Sequence, residues 1–160
     1  LEFYTEDEIE KIVKRSANIL GITLSDDAAR EIAKRSRATP RTANYLLKRA
    51  RDFAQVNKGD LTSKYVADAL ALLEIDEIGL TALDRKILEV IIEKFKGGPV
   101  GLSTIAAALS EEMATLEEVN EPYLMQLGLI ERTPRGRLAT PRAYEHLGFD
   151  APEDIQGKLL

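Results

Sequence analysis

Apolar positions recur at helical spacing through the first half of the chain. Ile9, Ile12, Val13, Ser16, Ile19 and Leu20 form one face of a helix, which Thr5 and Glu8 open as a capping box and Gly21 stops. Ser25 caps a second helix that buries Ala28, Ile32 and Ala33. Thr39 with Pro40 opens a third, because proline at the first helical position gives up an N–H that has no partner there. Ala43, Leu46, Leu47, Ala50, Phe53 and Ala54 follow on its inner face. Thr62 caps a fourth helix running through Val66, Ala69, Leu70 and Leu73. The pattern predicts a small helical bundle.

After a linker at 76–79 the pattern changes. Leu83, Ile87, Leu88, Ile91, Ile92 and Phe95 mark a helix ended by Gly97-Gly98-Pro99. Val100 to Leu102 is short and apolar enough for a strand. Ser103 is expected to cap "TIAAAL", and Thr115 to cap "LEEVNEPYLMQL", with Pro122 bending that helix from within. "GLIERT", "PRG" and "RLAT" then read as strand, tight turn and strand, with proline at the second turn position and glycine at the fourth. Thr140-Pro141 starts a last helix. Helix, strand, helix, helix and hairpin is the order of a winged helix. The segment "FDAPEDIQGKLL" has no periodicity and reads as a loose tail. The expected fold class is therefore mainly α, with one small β-hairpin.

Composition removes several kinds of chemistry. The chain has 160 residues and no cysteine, which excludes disulfides and thiolate metal sites, and its one histidine, His146, leaves too few ligands for a typical zinc site. No metal site is expected. No apolar run approaches the ~18 residues of a membrane span and no signal-peptide pattern opens the chain, so no membrane partner and a cytoplasmic location are expected. Paired catalytic carboxylates, a nucleophile triad and the phosphate loop G-x-x-x-x-G-K-[ST] are all missing from the pattern.

Charge distribution is more informative than its sum. The formal net charge is -5, yet "RSRATPRTANYLLKRARDFA" (35–54) concentrates six cations beside one acid, Asp52, and "RTPRGRLATPR" (132–142) holds four arginines and no acid. Arg41 falls in the first turn of the third helix, where the helix dipole disfavours a cation by about 0.3–1 kcal/mol. An anion at that position would account for it, since free N–H groups and a guanidinium fork together suit a phosphate. A surface arginine paired with a neighbouring acid is the commoner outcome of such a signal. Lys48, Arg49 and Arg51 read as a solvated flank. Lys34, Arg35 and Arg37 are open between an inter-subunit contact and mutual repulsion.

In the second half, the helix that would read bases in a winged helix carries Glu111, Glu112, Glu117, Glu118 and Glu121 along it and its approach, and carboxylates are repelled by phosphates. The hairpin has the opposite sign, with Arg132, Arg135 and Arg137 around the turn and Arg142 beyond. Such a wing suits sequence-independent, salt-dependent contact with a nucleic-acid backbone. A solvated basic turn in a protein-binding module fits the residues equally well. Tyr4, beside Phe3, either stacks on a planar ligand or fills a hydrophobic staple.

Several segments together resemble the RuvB family: "LEFY" (1–4), "IAKRSRATPRTANYLLKRARDFA" (32–54), "DRKILEVIIEKFKGGPVGL" (84–102), "EPYL" (121–124) and "RTPRGRLATPRAYEHLG" (132–148). The family comprises AAA+ ATPases that drive branch migration of Holliday junctions in recombination and repair. The resemblance implies a helical lid domain over 1–77, a winged-helix head domain over 78–148 and a tail over 149–160. It implies that the large nucleotide-binding domain, which holds ATP/ADP with its magnesium and recruits RuvA, lies before Leu1. Arg41 then matches the lid's sensor-2 arginine at the terminal phosphates of ATP, with Tyr4 and Pro40 at the same nucleotide. Arg132 and Arg137 match DNA-contacting positions, and Arg135 stands at the tip of the turn. The implied partners are double-stranded DNA at a Holliday junction, further copies of the chain in a hexameric ring, and RuvA through the large domain. ATP hydrolysis is expected of the parent motor and not of these 160 residues alone. The alternatives are a stand-alone winged-helix regulator with a helical dimerisation domain, and a protein-binding adaptor. Two departures stand out: "RATPR" puts Ala38 where relatives usually have glycine, and Met113 replaces a frequent arginine.

Overall fold

The structure, a computed structural model, describes residues 3–153. The chain divides into two compact units, Leu1–Thr81 and Ala82–Leu160.

The first unit contains α1 (Glu6–Ile19), α2 (Asp26–Lys34), α3 (Pro40–Asn57) and α4 (Ser63–Leu72). Each begins where a hydroxyl side chain can satisfy an orphan amide. Thr5 accepts from the Glu8 N–H while Glu8 reaches back to the Thr5 N–H at 2.8 Å. Ser25, Thr39 and Thr62 accept from the amides of Ala28, Thr42 and Tyr65. Ile9 and Val13 of α1, Ile32 of α2, Leu46, Leu47 and Ala50 of α3, and Val66 and Leu70 of α4 form one buried cluster. Each fully buried Leu or Ile contributes about 1.5–3 kcal/mol, which offsets the entropy of ordering four short helices. Ile19, expected on the inner face of α1, is 72% exposed. The buried positions run 9, 13 and 17, and at 100° per residue Ile19 lies about 120° from the centre of that stripe, in the last turn of the helix. Leu20 is also exposed, at the helix end.

The stretch at 76–79 is a closed turn. The Asp76 carboxylate accepts from the amides of Ile78 at 3.1 Å and Leu80 at 2.9 Å, and the Asp76 N–H donates to the Leu80 carbonyl.

The second unit has α5 (Ala82–Glu89), α6 (Leu102–Leu109), α7 (Met113–Thr115), α8 (Glu121–Gln126), the strands β1 (Ile130–Thr133) and β2 (Gly136–Ala139), and α9 (Pro141–Leu147). Ile87, Leu88, Ile91, Ile105, Leu116, Leu124 and Leu129 are buried. Two five-residue π-helical turns interrupt the helices: Val90–Lys94 continues α5, and Leu116–Asn120 joins α7 to α8. The bend expected at Pro122 is thus realised as a widened turn just before it, which relieves the clash between the proline ring and the preceding turn. Asn120 and Asp84 are buried together there, Asn120 Nδ2 donating to Asp84 Oδ1 at 2.7 Å.

Three expected boundaries move. Only Val100 pairs as a strand residue, because Leu102 already starts α6. Gly101, not Ser103, occupies the position before that helix, extending the backbone from Val100. Thr115 lies inside α7, whose flanking residue Glu112 makes no side-chain cap. The architecture is mainly helical with a two-stranded antiparallel sheet: a helical lid followed by a winged helix. Of the tail, residues 154–160 lie outside the described residues, and Phe149 is tied to α9 through its N–H on the Tyr144 carbonyl.

Candidate phosphate-binding surfaces

α3 begins with Thr39 as cap, Pro40 as first helical residue and Arg41 next. Arg41 is exposed, and among the described residues no carboxylate pairs with it. The neighbouring arginines are engaged. Arg35 Nε donates to Glu31 Oε1 at 2.7 Å, Arg37 Nη1 donates to the Gly79 carbonyl at 3.3 Å, and Arg49 and Arg51 share Asp52. Arg49 also lies over the Tyr45 ring. The chain therefore leaves Arg41 uncompensated at the positive end of a helix, while Arg35, Arg37, Arg49 and Arg51 near it are held by partners within the chain. Tyr4, half exposed, donates its N–H to the Ala38 carbonyl at 3.2 Å, which ties the start of the chain to the turn before Arg41.

That turn is left-handed at two successive non-glycine residues, Arg37 (φ 58°) and Ala38 (φ 55°). Such a conformation costs about 1–2 kcal/mol for an L-residue, and glycine avoids most of it while adding about 0.5–1 kcal/mol of chain entropy. Ala38→Gly is accordingly expected to stabilise the first unit by roughly 0.5–1 kcal/mol, raising its melting temperature by about 3–6 °C. A melting temperature that falls would show the left-handed turn to be unstrained.

The wing is built as tightly. β1 and β2 pair in the register Ile130↔Ala139, Glu131↔Leu138, Arg132↔Arg137, Thr133↔Gly136, leaving Pro134 and Arg135 as the turn. Thr133 Oγ1 closes it, donating to the Gly136 carbonyl at 2.7 Å. The outer edge of β2 is held in turn: Arg137 N–H donates to the Val100 carbonyl at 2.7 Å, Val100 N–H to the Arg137 carbonyl at 3.1 Å, and Ala139 N–H to the Gly97 carbonyl at 2.9 Å.

Arg132 and Arg135 are exposed and unpaired among the described residues, as is Arg142. Arg137 is not. Its side chain is 13% exposed and that of Glu121 5%, with Nε–Oε1 at 3.1 Å, Nη2–Oε1 at 2.9 Å and Nη2–Oε2 at 3.1 Å. Arg132 and Arg137 stand directly opposite on the hairpin, where like charges repel. Glu121 neutralises one of them. Glu121 is therefore removed from the acidic face, which keeps Glu111, Glu112, Glu117 and Glu118 exposed together with Met113 and Val119.

The winged-helix unit matches the family model for the RuvB C-terminal winged helix domain over residues 77–148, and the first unit matches that for the RuvB AAA lid domain over residues 4–76. The Holliday junction branch migration complex subunit RuvB of Chloroflexus aurantiacus is 58% identical over 154 residues, 96% of this chain and 44% of the relative. The chain belongs to the RuvB family. The RuvB of Oleidesulfovibrio alaskensis is 55% identical over 150 residues, covering 93% of this chain and 47% of the relative. The solved structure of the Thermotoga maritima RuvB Holliday junction branch migration motor superposes with a TM-score of 0.91 at 49% identity, over 95% of this chain and 51% of that one. The chain thus spans about half the length of the RuvB proteins it matches.

RuvB resemblance assigns Arg41, Tyr4 and Pro40 to one site; Pro40 and Arg41 are adjacent at the start of α3, and the Tyr4 backbone is hydrogen-bonded to Ala38 just before them. It also places Arg132, Arg135 and Arg137 together; they share one hairpin, with only the first two open to an external anion. The Glu121 partnership went unread in the sequence, although Glu121 sits three residues before the buried Leu124, on the inner side of α8.

Proposed function

We propose that this chain is the lid and winged-helix portion of an ATP-dependent Holliday-junction branch-migration motor, with Arg41 reporting the state of a nucleotide and the wing gripping duplex DNA through its backbone. Arg41 fits a nucleotide phosphate because it is a free fork at a helix start, and Tyr4 and Pro40 flank it. The nucleotide's own chemistry, phosphoryl transfer, is supplied when it is bound by the larger part of the motor. In this chain Arg41 orients toward the terminal phosphates, and the lid moves with them. Arg132 and Arg135 hold backbone phosphates, and Arg137 keeps the hairpin in place through Glu121. Sequence-blind contacts suit a motor that must traverse whatever sequence arrives. Further copies of the chain in a hexameric ring, and RuvA on the larger part, complete the assembly.

The observation that carries this reading is the selective pairing of arginines: Arg41 at the α3 start and Arg132 and Arg135 on the wing are left open, while Arg35, Arg37, Arg49, Arg51 and Arg137 are held by partners within the chain. Titrating unrelated duplexes at several salt concentrations tests it. Equal affinities with a steep salt slope are expected. One strongly preferred, symmetric site would favour a regulator instead, and no binding at any salt an adaptor.

A further inference from the structure

The function proposed above leaves Arg35 and Arg37 without a task, and their geometry supplies one. Both side chains reach across about forty residues of sequence to the segment by which the chain leaves the first unit. Arg35 Nη1 donates to the Ile75 carbonyl at 3.3 Å and Arg37 Nη1 to the Gly79 carbonyl at 3.3 Å. Arg35 is itself held by Glu31, with side-chain exposures of 11% and 20%. Residues 35–39, which include both arginines, form the lead-in to α3. Ser36 is fully buried with its hydroxyl on the Ala33 carbonyl, Arg37 and Ala38 are left-handed, and Thr39 caps the helix that carries Arg41. Both guanidinium groups donate to backbone carbonyls at the exit turn that Asp76 closes.

We infer that Arg35 and Arg37 are positioning residues that fasten the exit segment 75–79 to the Arg41 lead-in, so that a displacement at the start of α3 is passed to the chain entering the winged helix. The two contacts fall at separate points, one on the residue before the Asp76 turn and one within it, so the exit segment is tied to the lead-in at two places.

The inference rests on the motor reading and is tested in the full-length motor that carries this chain, with Arg35→Gln and Arg37→Gln combined. Base pairs of junction moved per ATP hydrolysed should fall roughly fivefold, while ATP turnover and duplex affinity stay within about twofold of the parent. An unchanged ratio overturns the inference. A merely structural role would instead lower turnover and affinity together and leave the ratio as it was. Arg37→Gln alone, which removes the Gly79 contact and keeps the Arg35–Glu31 pair and the Ile75 contact, provides the test should the double variant not fold; a smaller fall in the same ratio supports the inference and an unchanged one overturns it. Arg41→Ala, measured in parallel, separates the two readings. If it leaves turnover intact, the nucleotide-sensing assignment fails, whereas the ratio in the Arg35 and Arg37 variants still decides the coupling.

Discussion

Replacing Arg41 with alanine should lower ATP turnover of the full-length motor by at least about 100-fold, the usual loss when a preorganised charge is removed from a developing phosphoryl charge. Duplex affinity should remain nearly unchanged, because the wing belongs to the other unit. Stability should not fall. Arg41 is exposed and pairs with no carboxylate among the described residues, and removing a cation from a helix start relieves about 0.3–1 kcal/mol of unfavourable dipole interaction. A side chain whose loss stabilises the fold and stops the reaction is retained for the reaction. Arg41→Lys should recover only part of the activity, since a point charge cannot reproduce the two-pronged contact of a guanidinium. Full turnover in Arg41→Ala would refute the assignment.

Gly136→Ala should be the most damaging single methyl group in the winged helix. Gly136 adopts φ +130°, a conformation open to glycine alone, and a Cβ there would collide with the Val100 carbonyl group and lie 2.9 Å from the Gly101 amide. Those neighbours are backbone and cannot swing aside. The expected cost is about 3–5 kcal/mol, the sum of backbone strain and overpacking, against a total domain stability of about 5–15 kcal/mol. The Val100 and Arg137 amides, which now bond to each other's carbonyls, should lose their protection from hydrogen exchange, and DNA affinity should drop as the arginines lose their common frame. Unchanged melting and exchange would mean that the wing is not held by this edge.

The contrast between these two residues indicates what the sequence could disclose. Helix starts were legible because their signals are local: Thr5 with Glu8, Ser25, Thr39 with Pro40 and Thr62 each act within three residues. The turn of the wing was legible for the same reason. Ser103 and Thr115 misled because the backbone running from Val100, which is pinned to β2, settled where α6 begins, and because α7 already starts at Met113, two residues before Thr115. Arg41 could be singled out by its position against the helix dipole. Which arginines were free could not, since Arg137 finds Glu121 across sixteen residues and Arg35 finds Ile75 across forty. Pairing of this kind is fixed by tertiary packing, and only the coordinates separate an arginine that awaits a ligand from one that braces the fold.

The salt dependence of duplex binding by wing variants tests that separation most directly. Each backbone phosphate neutralised contributes about 0.9 to the slope of log affinity against log salt. Arg132→Ala should reduce the slope by about one, while Glu121→Gln combined with Arg137→Gln, which replaces the buried ion pair by a neutral one, should leave it unchanged. A slope that falls in the double variant and holds in Arg132→Ala would contradict the account.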